Sequence, residues 1–175
     1  TKLTNNTKEE VQSNHAEPHP TTFAATFALL KQAFMYAYTF YLGVFFVFIV
    51  TFSIFPGTTN NTYLSFISTD NSSYDAWVNV IFTTNFSIFD ALGRYLAGKP
   101  LFLINDRLTL VLTYSRAIFI VTFLLTVNQV GPDWLFTSDW FKMVNMMLFA
   151  FSNGFCSTLC AIKAPNKTPE ELKES

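Results

Sequence analysis

The sequence predicts an all-α polytopic membrane protein with four transmembrane helices, on three observations. Half of the 175 residues are hydrophobic, only 13% are charged, and phenylalanine alone occurs 21 times, a balance far from that of an average water-exposed domain. The apolar residues are gathered into four blocks, each about as long as the ~20 residues a helix needs to cross ~30 Å of hydrocarbon. Blocks such as FYLGVFFVFIVTFSIF and MVNMMLFAFSNGF are apolar nearly all round, where a soluble bundle would show polar residues recurring every ~3.6 positions. The mean hydropathy of +0.29 understates this, because polar ends dilute the blocks.

The first expected span, residues 33–55, carries no charge between Lys31 and Asp70 and stops at Pro56-Gly57, which cannot continue a helix. The second covers residues 77–97 and contains Asp90 and Arg94. The third, residues 108–127, holds Arg116 as its one charge and ends ahead of Gly131-Pro132. The fourth, residues 141–162, is uncharged between Lys142 and Lys163. Around this four-helix region (28–163) lie a polar segment, 1–27, and a charged tail, 164–175. The chain opens on Thr1 with no basic and apolar leader, which reads as a fragment or processed chain without a signal peptide.

The connections sort by charge. Residues 58–76 and 128–138 contain no Lys or Arg, whereas Lys2, Lys8 and Lys31, then Lys99 and Arg107, then Lys163, Lys167 and Lys173 fall on the alternate side. The positive-inside rule places both termini in the cytoplasm, of a plasma membrane or an organelle membrane. Sequons at Asn60 and Asn71 then lie on the far side, open to glycosylation, while those at Asn5 and Asn166 are cytoplasmic and the one at Asn85 is inside a helix. A net charge of -1 points to no nucleic-acid partner.

A charge at mid-membrane costs ~2.5–3.5 kcal/mol on insertion scales, so Asp90, Arg94 and Arg116 are the residues to explain. Asp90 and Arg94 are four apart and share a helix face with Ser87 and Thr83, forming a polar stripe. Two readings stand: a substrate pathway, or an ion pair that only lets this helix insert, with Arg94 snorkelling to its end. Arg116 has no acid in its own helix; Asp90 is the one other carboxylate at depth, so either the two helices are neighbours or another part of the protein supplies an acid. A hydrogen-bonded tie between helices is weighed for Arg116 against substrate contact. In the fourth helix Ala150, Gly154, Ser157 and Ala161 form a small-residue ridge suited to close packing, and Asn153-Gly154 serves either interhelical bonding or a pathway lining. Cys156 and Cys160 read as interior thiols. His15 and His19 sit in the polar opening, and no phosphate loop, zinc spacing or nucleophile set assembles, so neither an enzyme nor a cofactor is expected.

TFSIFPGT, NFSIFDALGRYL, SRAIFIV and MLFAFSNGFCSTL, in this order and spacing, resemble the seventh to tenth helices of equilibrative nucleoside transporters. In that family the seventh helix ends in a Phe-Pro turn, matched by Phe55 and Pro56. The eighth carries Asp-x-x-Gly-Arg, matched by Asp90, Gly93 and Arg94. The ninth carries an Arg matched by Arg116, and the tenth a motif matched by Phe149, Ala150, Ser152, Asn153 and Gly154. Ser87 stands where the family usually has Asn, and Val121 where it commonly has Pro. The resemblance implies part of the carboxyl-terminal bundle of a major-facilitator-like transporter, with Asp90, Arg94, Phe55 and Ser87 at a nucleoside and Arg116, Asn153, Gly154, Pro56 and Gly93 shaping the helices. It implies as partners the lipid bilayer, an amino-terminal six-helix half and an eleventh helix. The alternative is a structural or accessory subunit held in another membrane assembly.

The charge pattern makes a direct forecast. Cysteines placed at Asn60 and Ser138 react with an impermeant thiol reagent added outside, and one at Lys99 does not; outside labelling at Lys99 reverses the topology.

Overall fold

In the computed structural model, residues 23–55, 57, 62–67, 73–130 and 138–167 are described, and Pro56, Asn60, Asn71, His15 and His19 lie outside them. The helices, in chain order, are α1 (Phe23–Ile54), α2 (Tyr74–Ala97), α3 (Asp106–Ser115), α4 (Ile118–Val127) and α5 (Asp139–Lys167), with a 3-10 turn at Pro100–Phe102. Among the described residues there is no strand. The chain is an all-α membrane protein, as the sequence predicts.

Among the described residues three segments are long and apolar enough to cross a membrane: Leu30–Ile54, Asp106–Val127 and Asp139–Lys167. The second expected span, α2, has 24 residues and reaches ~36 Å at 1.5 Å per residue. It falls short on composition, because Asp75, Asp90 and Arg94 and several Thr, Ser and Asn lower its hydropathy.

The helices differ from expectation at three places. α1 begins at Phe23, ten residues before the expected span, so Lys31 is inside a helix and does not precede one. α5 runs on through Pro165 to Lys167; a proline there lacks the N–H that would meet the Ala161 carbonyl, the loss of a single bond close to the helix end. That end is tied by Lys163 Nζ to the Ile104 carbonyl and to Asp106, both at 2.6 Å, and by Lys167 Nζ to Asp106 at 2.6 Å. The third span is broken at Arg116-Ala117. There Ala117, Phe119 and Ile120 donate to the carbonyls of Tyr114, Arg116 and Ala117, so the bonds reach back three residues instead of four and the turn tightens. α4 closes with Val130 donating to the Leu125 carbonyl and Gln129 to that of Thr126, with Gln129 at φ 52°, the αL position such a terminus uses.

α5 is the hub, packing against α2 most extensively and also against α1, α3 and α4. Around Phe149 a cluster gathers Val50 and Ile54 of α1, Phe82 of α2, Phe123 of α4 and Met146 of α5, with Leu64 of the α1–α2 connection. That connection is tied down: the Tyr74 hydroxyl meets the Leu64 N–H at 2.8 Å, the Ser65 N–H meets Asp139 at 2.8 Å, and buried Lys142 donates to the Tyr63 carbonyl at 2.6 Å. The outer surface is apolar, with Phe45, Phe52, Val111, Ile118, Val121, Trp140 and Leu148 all exposed, as suits side chains facing lipid.

Lipid is as apolar as these side chains, so helix association depends on close packing and polar ties more than on hydrophobic expulsion. The closest packing is at α2 and α5. A methyl built on Gly154 would overlap the Asp90 carbonyl and stand 2.9 Å from the Arg94 nitrogen, and one on Gly93 would overlap the Phe151 carbonyl and stand 2.9 Å from the Phe155 nitrogen. Of the expected ridge, Ala150, Gly154 and Ser157 are buried, whereas Ala161, about two turns past Gly154, is exposed.

Gly93→Ala or Gly154→Leu therefore pushes backbone from backbone, a change worth ~1–3 kcal/mol of overpacking or more. Both variants give lower folded yield and lower melting temperature in detergent. Gly98→Ala, where the nearest atom stands at 3.6 Å, stays near the parent; equal behaviour of all three would place the α2–α5 crossing elsewhere.

Candidate functional site

Asp90 and Arg94 lie on one face of α2 just above the glycine crossing. Arg94 Nε donates to Asp90 Oδ2 at 2.7 Å and Nη2 to Oδ1 at 3.4 Å, as their spacing of four residues on a helix permits. From α5, Asn153 Nδ2 donates to Asp90 Oδ1 at 2.7 Å. The Arg94 side chain is 47% exposed and that of Asp90 15%, so the pair is accessible from one side only. A carboxylate offers about four acceptor positions and a guanidinium five donors. With these bonds made, Oδ2 keeps a free lone pair and Nη1 keeps its hydrogens, a neighbouring acceptor and donor on the open face.

Beside Arg94 an open groove of about 410 Å³ runs between α1 and α2 over α5, with Val44, Phe48, Ser157, Thr158 and Ala161 along it. Further along α2, Phe55 stacks on Phe86 with ring centroids 5.1 Å apart, and Phe86 is one turn from Asp90. Ser87 is exposed, and its hydroxyl donates back to the Thr83 carbonyl at 2.8 Å, inside its own helix. Among the described residues no group of His, Cys, Asp and Glu is arranged to hold a metal.

Arg116 does not meet Asp90, the one carboxylate at depth that the sequence offered. It is 1% exposed and, among the described residues, touches no carboxylate. Its nitrogens donate to the Val47 carbonyl at 3.1 Å, Thr51 Oγ1 at 3.2 Å, Ser152 Oγ at 3.1 Å and the Phe149 carbonyl at 3.5 Å, and its guanidinium lies 5.2 Å from the Phe149 ring centre. A planar fork with five fixed donors is suited to such a scattered set of acceptors. Arg116 thus ties the α3–α4 break to α1 and α5, the interhelical role weighed for it from sequence.

Asn153 is 3% exposed and joins Asp90 on one side to Thr51 on the other, with Thr51 Oγ1 2.6 Å from Asn153 Oδ1. Sequence reasoning passed over Thr51, whose one visible signal was a hydroxyl in an otherwise apolar stretch of α1. Asp90, Arg94 and Asn153 are in contact; Gly93 and Gly154 lie beneath them; Arg116 is joined to them through Thr51; Phe55 and Ser87 flank them without bonding to them. Cys156 and Cys160 are buried and unpaired with each other.

A tie of this kind makes Arg116 exacting. Arg116→Lys keeps the charge but cannot reach all of these acceptors, and each group left unsatisfied costs ~1–3 kcal/mol. Its melting temperature in detergent falls by several degrees or more, and an unchanged melting temperature would show that these bonds carry no stability.

The family model described as nucleoside transporter matches residues 1–175. Among curated proteins, equilibrative nucleoside transporter 1 of Rattus norvegicus is 34% identical over 144 residues, covering 80% of this chain and 30% of that protein. Equilibrative nucleoside transporter 1 of Mus musculus is 34% identical over 134 residues, 72% of this chain and 29% of that protein. The chain thus spans about a third of the length of these relatives. No solved structure matches it.

Proposed function

The chain belongs to the nucleoside transporter family, and on that premise we propose that it forms one wall of a carrier that moves nucleosides across a membrane, with nucleobases as the further substrate class to be tested. The reading places its helices in the carboxyl-terminal half of that carrier. The opposite wall, from the length the relatives have beyond this match, would rock against it in alternating access. α2 would be the fourth crossing, with its polar stripe turned to the pathway and away from lipid. Lys31, Lys99, Arg107, Lys163 and Lys167 would mark the cytoplasmic end. The one Lys at the other end, Lys142, is matched there by Asp139 at 3.2 Å, which supports that orientation.

The observation that carries the proposal is the half-open Asp90–Arg94 pair. An uncharged sugar needs no counter-ion, but its neighbouring hydroxyls both donate and accept. A carboxylate lone pair beside a guanidinium N–H offers the complement, at a site lined otherwise by apolar and small side chains. No bond of the substrate need change, so the site has to bind and release, not react. Phe55, stacked on Phe86, would offer an aromatic face to the base, and Ser87 would stand at the rim.

In a full-length carrier containing this chain, Asp90→Asn and Arg94→Lys each lower uridine uptake per surface molecule about ten- to hundredfold, the effect of losing one hydrogen bond to a charged group. Surface abundance falls much less, because Asp90→Asn removes a charge from mid-membrane. Normal uptake per molecule together with sharply reduced abundance would make the pair a purely structural one.

A further inference from the structure

The bonds that reach Asp90 from inside the protein all point one way. Arg116 Nη2 donates to Thr51 Oγ1 at 3.2 Å, and a guanidinium has no acceptor to offer in return. The Thr51 oxygen therefore accepts from Arg116, and its single hydrogen points elsewhere. Two acceptors are near, Asn153 Oδ1 at 2.6 Å and the Val47 carbonyl at 2.8 Å. The Val47 carbonyl is already met by Arg116 Nη1 at 3.1 Å, whereas two oxygens as close as Thr51 Oγ1 and Asn153 Oδ1 need a hydrogen between them, and an amide oxygen has none to give, so the Thr51 hydrogen goes to Asn153. With its oxygen facing Thr51, the Asn153 amide presents Nδ2 to Asp90 Oδ1 at 2.7 Å, the one orientation in which a carboxylate is met by a donor. Arg116, Thr51 and Asn153 are each buried, at 1%, 7% and 3% exposure, so water does not readily interrupt the series.

We propose that Thr51 is a positioning residue for sugar recognition: through Asn153 it holds the Asp90 carboxylate at the angle that leaves the second lone pair of Oδ2, beside its bond to Arg94, open to a ribose hydroxyl. The inference rests on the assignment of Asp90 and Arg94 as the sugar site. Arg116 anchors the series and Thr51 sets its direction. Without the Thr51 hydroxyl, the Asn153 amide loses the partner that fixes its orientation. The carboxylate is then free to turn fully onto Arg94, closing the bidentate pair that the 3.4 Å Nη2–Oδ1 separation leaves slack. The cost falls on substrates that use the hydroxyls and spares those that lack them, which a packing role for Thr51 would not produce.

The test uses Thr51→Val, which keeps the shape and removes the hydroxyl, and Thr51→Ser, which keeps the hydroxyl. Uptake of radiolabelled uridine and of 2′,3′-dideoxyuridine is measured in the full-length carrier, and the ratio between them is read, since both substrates share any loss of folded protein. Thr51→Val is expected to lower the uridine-to-dideoxyuridine ratio about tenfold, the worth of one good hydrogen bond, and Thr51→Ser to restore it to within about twofold. An unchanged ratio in Thr51→Val, or a Thr51→Ser that behaves like Thr51→Val, overturns the proposal. Asp90→Asn measured alongside separates the two levels. If it keeps the parent ratio, the sugar-site reading itself fails; if it collapses the ratio while Thr51→Val does not, the positioning role alone fails.

Discussion

The close crossing of α2 on α5 is the constraint on which the rest of this structure depends. Gly93 and Gly154 face each other's backbones with no room for a side-chain carbon on either. In lipid, where apolar side chains gain little by leaving their surroundings, such backbone approach is a main source of helix association. It also sets a distance. Asn153 precedes one glycine of the crossing and Asp90 lies three residues before the other; the same approach brings their side chains to 2.7 Å. A wider crossing would leave a buried amide and a half-buried carboxylate without each other.

From that point polar contacts spread to every helix. Asn153 reaches α1 through Thr51, and Thr51 reaches the α3–α4 break through Arg116. A buried cation with no acid beside it is costly unless its donors are met, and here two carbonyls and two hydroxyls meet them. The arrangement divides labour between two arginines of one chain. Arg116 is enclosed and holds helices together, while Arg94, nearly half exposed, keeps donors to spare on the open face.

The parts of this that were legible in the sequence are those set by local spacing. Apolar runs of about twenty residues announced the helices, and Asp90 and Arg94 four apart announced their pairing, because helix geometry alone decides both. The parts not legible depend on what another helix brings. Thr51 looks like any hydroxyl in an apolar helix, able to satisfy itself on the carbonyl four residues back, and it does sit 2.8 Å from that of Val47; its second neighbour is 102 residues away. Arg116 carries no sequence signal of its partners, because hydroxyls and carbonyls from two other helices meet its donors. The break after Ser115 has no Pro or Gly to mark it. At the helix ends the spans expected at 33 and 162 are overrun, because α1 begins at Phe23 with Lys31 exposed inside it and α5 continues to Lys167 in a last turn secured by Lys163 and Lys167.

The central claim is that the free edge of the Asp90–Arg94 pair binds the sugar of a nucleoside while the Asn153 side holds Asp90 in place. An experimental structure of the full-length carrier with uridine bound tests it most directly. Ribose hydroxyl oxygens are expected within about 2.7–3.2 Å of Asp90 Oδ2 and of an Arg94 nitrogen, with the Asn153 contact to Oδ1 intact. Uridine seated away from α2, with Asp90 and Arg94 bonded to nothing beyond each other and Asn153, would contradict it.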